Sequence, residues 1–80
     1  MKNIVVYSTS VCPFCDMAKA LLTREGLEFE AINLDNDHEL RMKLSEENKG
    51  YRTVPMIFID DKFIGGFQEL QKLHKDGGLK

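Results

Sequence analysis

Long hydrophobic runs are missing from this chain. Its longest uninterrupted apolar stretches are residues 4–7 and 56–59, far short of the roughly 20 residues that a helical membrane span needs. The first eight residues carry one charge and then a strand-like run, with no apolar core leading to a small-residue cleavage site. No signal peptide is therefore expected. Basic blocks are missing too: Lys and Arg are scattered, and the formal net charge is −2. Phosphate recognition needs a clustered basic excess, which argues against nucleic acid as a partner. There are no repeats, no low-complexity tracts and no Pro/Gly/Ser linker. Eighty residues leave room for one domain, residues 1–80, that buries only about 60% of its unfolded surface in one modest core. Cysteine is scarce, with only Cys12 and Cys15, three positions apart. A secreted domain stapled by disulfides would carry more, at wider spacing. A bridge across so short a loop contributes only about 2 kcal/mol in the chain-entropy model. The pair is unsuited to holding a fold together. It points instead to a reducing, cytoplasmic compartment and to redox or metal chemistry.

What is present alternates. The hydrophobic share of 42% and charged share of 30% are those of a globular chain. Ile4-Val5-Val6-Tyr7 is apolar at every position, as in a strand covered on both faces. Pro13 suits the first turn of a helix. Phe14, Met17, Ala18, Leu21 and Leu22 then form one apolar stripe, and Gly26 is placed to close that helix in a left-handed cap. Phe29, Ala31 and Asn33 alternate with Glu28, Glu30 and Ile32 in a second strand. After the Asp35-Asn36-Asp37 cluster, residues 38–48 read as a helix with Leu40 and Leu44 inward, closed by Gly50. Met56-Ile57-Phe58-Ile59 is a buried strand, Asp60-Asp61 a hairpin turn, and residues 62–64 a short strand broken by Gly65-Gly66. Phe67, Leu70 and Leu73 give the last helix its inner face, and Gly77-Gly78 stops it. The order is β-α-β-α-β-β-α, an α/β chain. Two strands joined by a helix should be parallel and the last two antiparallel, giving a four-stranded mixed sheet flanked by helices. That is the arrangement of the thioredoxin-like fold.

Cys12-Pro13-Phe14-Cys15 falls where the first strand hands over to a helix. Free N–H groups and the positive end of the helix dipole stabilise a thiolate there better than a thiol. A free thiol with a pKa of about 8.5 is only about 3% ionised at neutral pH, whereas one near 5 is about 99% ionised. Cys12 is therefore the expected nucleophile. Cys15, one turn in and nearer burial, is the expected resolving thiol that attacks the mixed disulfide. Zinc also uses Cys-x-x-Cys, but it needs four ligands. His38 and His74, on different helices, match no common zinc spacing, and both read as surface residues.

Two further constellations stand out. Thr53-Val54-Pro55 enters a strand, where proline is tolerated. X–Pro bonds are cis in only about 5–6% of cases, yet a cis Val54–Pro55 bond would turn the Val54 backbone outward to pair with an extended peptide. Gly65-Gly66 makes a tight turn before the last helix, whose N-terminus at Phe67-Gln68 would receive a carboxylate or amine of a small ligand.

Together these residues resemble a dithiol glutaredoxin, from Val6-Tyr7 and Cys12-Pro13-Phe14-Cys15 through Thr53-Val54-Pro55 and Ile57-Phe58-Ile59 to Ile64-Gly65-Gly66 and the closing Gly77-Gly78-Leu79. The resemblance implies an enzyme that uses glutathione as co-substrate, with no tightly bound cofactor, to reduce protein disulfides and glutathione mixed disulfides. It also implies a cis Pro55, a mixed disulfide on Cys12, pairing of the tripeptide with Val54, and Phe67 and Gln68 at its γ-glutamyl end. Phe14, Thr53 and Gly66 complete the expected glutathione site, and a monomer is expected. Three departures from the family pattern bear on it. Phe14 replaces the usual tyrosine, Thr9 stands where many members carry a basic residue, and Gln68 stands where an acid commonly meets the glutathione amine. Lys49 or Arg52 is expected to supply the missing positive charge, with Arg52 first because it can hold a carboxylate through two parallel hydrogen bonds. Gly66-Phe67 with no acid next also resembles the redoxins that serve ribonucleotide reductase and are recharged by thioredoxin reductase. A metal or iron–sulfur module with Cys12 as ligand is a further alternative, although Pro13 stiffens the loop and Cys15 invites disulfide formation.

Overall fold

The structure, a computed structural model, describes residues 3–78; Leu79 of the closing motif lies outside them. Seven elements follow in order: β1 (Ile4–Ser8), α1 (Pro13–Arg24), β2 (Glu30–Asn33), α2 (His38–Glu47), β3 (Met56–Ile59), β4 (Lys62–Gly65) and α3 (Phe67–Lys75). They build one four-stranded sheet in the order β2-β1-β3-β4. The helical crossover makes β1 and β2 parallel, with Val6 opposite Ala31. β1 runs antiparallel to β3, with Val6 opposite Ile57, and the Asp60-Asp61 turn makes β3 and β4 antiparallel. Both turn residues have positive φ, 52° and 68°, as a two-residue turn matched to strand twist requires, and aspartate tolerates that region better than most residues. The Asp60 carboxylate also accepts the Asn3 N–H at 2.9 Å. This is the expected thioredoxin-like arrangement.

Side-chain alternation divides the core. Ile4, Val6, Ile57 and Ile59 point to one face and meet Ala18, Leu21 and Leu22 of α1 and Leu70 of α3. The opposite face carries Leu34, Met56 and Leu44 of α2, ringed by Tyr7, Phe58, Phe63 and Tyr51. Hence α1 and α3 cover one face and α2 the other.

The α1 stripe is split by the packing. Cys15, Ala18 and Leu22, spaced by three and four residues, form the line that meets the sheet, and Leu21 is buried beside them. Phe14 and Met17 lie on the flank and remain 54% and 47% exposed. β2 also differs from expectation. It is an edge strand of four residues in which Ala31 is exposed while Ile32 packs toward the α2 face. Phe29 reaches the other core from just before the strand. Gly26, with φ 72°, closes α1 as expected: its N–H donates to the Thr23 carbonyl and the Leu27 N–H to that of Leu22.

Candidate active site

Loop residues 9–12 carry Cys12 from the end of β1 to the N-cap of α1, where its backbone is extended (φ −154°, ψ 95°) and Pro13 takes the first helical position. The Cys12 sulfur does the work of a capping oxygen by accepting the Cys15 N–H at 3.1 Å. The Asp16 N–H donates to the Cys12 carbonyl at 3.1 Å. Cys12 and Cys15 are joined in a disulfide with Cα atoms 5.2 Å apart. Their surroundings differ in the way that decides chemistry: Cys12 is 8% exposed and Cys15 0%. An external sulfur can approach Cys12 alone. The Cys15 N–H and the N-terminal end of α1 are the surroundings in which a sulfur at the Cys12 position is best placed to carry negative charge.

Opposite the dithiol lies the turn before β3. The Val54–Pro55 bond is cis, and the Val54 carbonyl oxygen is 3.7 Å from the Cys12 sulfur. A groove of about 270 Å³ opens beside it, lined by Phe14, Thr53, Val54, Pro55, Gly66, Phe67 and Gln68. The fold thus gathers, from three separate elements, nearly every residue singled out in the sequence. The Phe14 and Phe67 rings lie 6.3 Å apart and form one wall. Gly66 is the N-cap of α3 and supplies no side-chain hydrogen bond to the first N–H groups of that helix, whose residues line the groove. Arg52 is placed differently. It lines a neighbouring hollow beside α2 with His38, Arg41 and Met42, and its carbonyl accepts from the Arg41 guanidinium at 3.4 Å. Lys49 is exposed and is not among the residues lining the groove. Of the histidines, His38 is exposed and His74 is half-buried with its Nδ1 3.8 Å from a Glu25 carboxylate oxygen.

Three features were not anticipated. Tyr51 and Glu69 also line the groove. A Cβ on Gly66 would lie 2.6 Å from the Tyr51 hydroxyl, and one on Gly65, whose φ is +125°, would lie 2.7 Å from the Glu69 carboxylate. A Cβ at either position would thus displace a neighbouring side chain, and at Gly65 the positive φ favours glycine as well. Glu69 had a legible signal: it sits three residues after the N-cap, where acids favour a helix start. It puts a carboxylate one residue beyond Gln68. The third feature is a polar clasp under the dithiol loop. The Asp35 carboxylate accepts both the backbone N–H of Ser10, at 3.1 Å, and its hydroxyl. The Asn33 amide donates to the Ser10 oxygen at 3.2 Å. The Ser10 hydroxyl and then its N–H hold the Asp35 carboxyl below the usual carboxylate range.

Comparison with known proteins agrees with this geometry. The family profile described as glutaredoxin matches residues 4–64. Glutaredoxin 3 of Escherichia coli is 39% identical over 79 residues, covering 99% of this chain and 94% of that protein. The crystal structure of wheat glutaredoxin superposes with a TM-score of 0.89 at 44% identity, covering 96% of this chain and 74% of that one. A buckwheat glutaredoxin–glutathione complex superposes with a TM-score of 0.90 at 33% identity, covering 98% and 73%. With the buried-and-open sulfur pair, the cis turn facing it and the matching profile across most of its length, the chain belongs to the glutaredoxin family.

Proposed function

We propose that the protein is a glutathione-dependent thiol–disulfide oxidoreductase of the reducing cytoplasm. The observation that carries this reading is the groove that runs along Val54, whose carbonyl lies 3.7 Å from the Cys12 sulfur, to the start of α3. It offers a backbone edge at Val54, ring walls at Phe14 and Phe67, and free N–H groups with a nearby carboxylate at Gln68 and Glu69. Those are the partners that a short peptide with an amine and a carboxylate at one end needs. Thr53 and Pro55 shape the floor. Arg52, just outside the lining, would meet a second carboxylate reaching past Thr53.

The chemistry follows from the sulfur pair. The Cys12 thiolate attacks the glutathione sulfur of a protein–glutathione disulfide; a bond forms between those sulfurs and the protein thiolate leaves. A second glutathione thiolate then attacks that mixed disulfide, releases oxidised glutathione and restores the Cys12 thiolate. With a protein disulfide, Cys12 forms a mixed disulfide with the protein. Cys15 attacks Cys12, the reduced protein leaves, and two glutathione molecules reduce the resulting Cys12–Cys15 bridge. Ribonucleotide reductase is one candidate acceptor. Recharging by thioredoxin reductase was suggested by the lack of an acid at position 68, and Glu69 weakens that motive because it supplies the carboxylate one residue on.

Turnover of a glutathionylated substrate by glutathione tests the proposal. Cys12→Ser should abolish it, and Cys15→Ser should keep reduction of glutathione mixed disulfides while losing reduction of protein disulfides. Activity that survives Cys12→Ser, or that needs thioredoxin reductase and ignores glutathione, would refute it.

A further inference from the structure

A second hollow, of about 520 Å³, lies between α1 and α3. It is built from one face of each helix: Met17, Leu21 and Arg24 of α1 and Phe67, His74 and Lys75 of α3. Its floor is apolar, and the charged side chains among the described lining residues are all basic or histidine, in a chain whose net charge is −2. Glu25 offsets part of this, with a carboxylate 3.7 Å from Arg24 and 3.8 Å from His74. Lys75 is exposed, and the Arg24 side chain remains 71% exposed.

The hollow borders the dithiol groove at one shared residue. Phe67 lines both it and the dithiol groove, and Phe67 stands beside Phe14. Among the described residues, the large apolar side chains left exposed are Val11, Phe14, Met17 and Met42. Three of these four flank the dithiol: Val11, 92% exposed, precedes Cys12, and Phe14 and Met17 follow it. The α1 stripe is thus wider than the core uses, and its surplus leads from Cys12 into a basic-rimmed cleft. Glutathione, lying along Val54 toward Gln68 between Phe14 and Phe67, would leave Met17, Leu21 and the basic rim uncovered.

We propose that the cleft between α1 and α3 docks an acidic segment, bearing apolar side chains, of the protein whose disulfide is reduced. Apolar residues of that segment would cover Met17 and Leu21, and its carboxylates would meet Arg24 and Lys75. The proposal rests on the thiol–disulfide exchange assigned to Cys12 and adds to it a choice among protein substrates. Rim charges of this kind alter selectivity and encounter more than intrinsic chemistry.

The test compares three substrates: two short synthetic peptides with one glutathionylated cysteine each, flanked by Glu and Leu or by Lys and Leu, and the mixed disulfide of glutathione with 2-mercaptoethanol. The protein should favour the acidic peptide in kcat/KM by about tenfold at low salt. Arg24→Glu with Lys75→Glu should erase the preference while the small disulfide is turned over as before. Met17→Gln should lower both peptides by about threefold, again sparing the small disulfide. Equal use of both peptides, or a preference that survives the double charge reversal, overturns the docking proposal. Failure to turn over the small disulfide overturns the glutathione reading instead. Docking is then read by NMR, titrating the protein with the acidic peptide carrying serine for cysteine. Shifts at the Met17 methyl and Leu21 are expected. Shifts confined to Met42, or a peptide-independent dimer that covers Met17, overturn it.

Discussion

The two faces of the sheet are packed in different ways, and the site draws on each. Among the described residues, the face under α1 and α3 holds eight buried aliphatic side chains, from Ile4 to Leu70, in one cluster. The α2 face holds three, Leu34, Leu44 and Met56, inside a ring of half-buried aromatics that includes Tyr7, Tyr51, Phe58 and Phe63. Cys15 is rooted in α1 on the first face, next to Ala18. Val54 and Tyr51, which form the opposite side of the groove, pack against the second cluster. The sulfur pair is therefore carried by the helix that covers the aliphatic layer, and the cis turn facing it by the aromatic-ringed one. A nucleophile must be held against a helix terminus to stay ionised. A surface that accepts varied disulfides gains from side chains that can shift.

Core truncations should separate the two faces most. Leu22→Ala, on the α1 face, is expected to cost about 3 kcal/mol, and Leu44→Ala, on the α2 face, about 2 kcal/mol with a raised KM for glutathione. Chemical denaturation and steady-state kinetics measure both. Equal losses of stability with no change in KM would break the contrast. A smaller effect is expected at the seam between the layers. Gly66→Ala places a methyl against the Tyr51 hydroxyl and should raise KM about fivefold, an effect of about 1 kcal/mol. Adding Tyr51→Phe should restore most of the loss; if it does not, the close approach is not what requires glycine there.

The smallest effect concerns the clasp beneath the dithiol loop. Hydrogen bonds from Ser10 lower the folded-state pKa of Asp35, so its stabilisation is full above the unfolded carboxylate value of about 3.9. It is lost as pH falls through the lower folded value. Melting temperature followed across this acid range should decline less steeply in Asp35→Asn than in the parent protein. Parallel curves would remove the clasp from the account.

The fold was legible because its signals were local. Apolar runs at Ile4 and Met56, Pro13 at a helix start and Gly26 at its end each name an element on chemical grounds. The dithiol was legible because Cys12 and Cys15 share one helical turn, and the rest of the groove because its motifs are contiguous in the chain. What could not be read depends on distance in sequence. Ser10 meets Asp35 across 25 positions, and the Tyr51 hydroxyl approaches Gly66 across the β3–β4 hairpin that separates them in the chain. Helical periodicity placed Phe14 and Met17 on an apolar stripe, but it carries no information on how wide a stripe the sheet can cover. That Arg52 lines the hollow beside α2, with its backbone carbonyl bonded to Arg41 eleven positions earlier, was likewise not written locally in the sequence.

The central claim is that the N-terminus of α1 holds the Cys12 sulfur ionised while Cys15 stays buried and protonated. Its most direct test is the pH dependence of alkylation by iodoacetamide in the reduced protein, with Cys15→Ser isolating the first sulfur. The account predicts a midpoint for Cys12 at least about two pH units below the ordinary thiol value of about 8.5. A midpoint near 8.5 would contradict it.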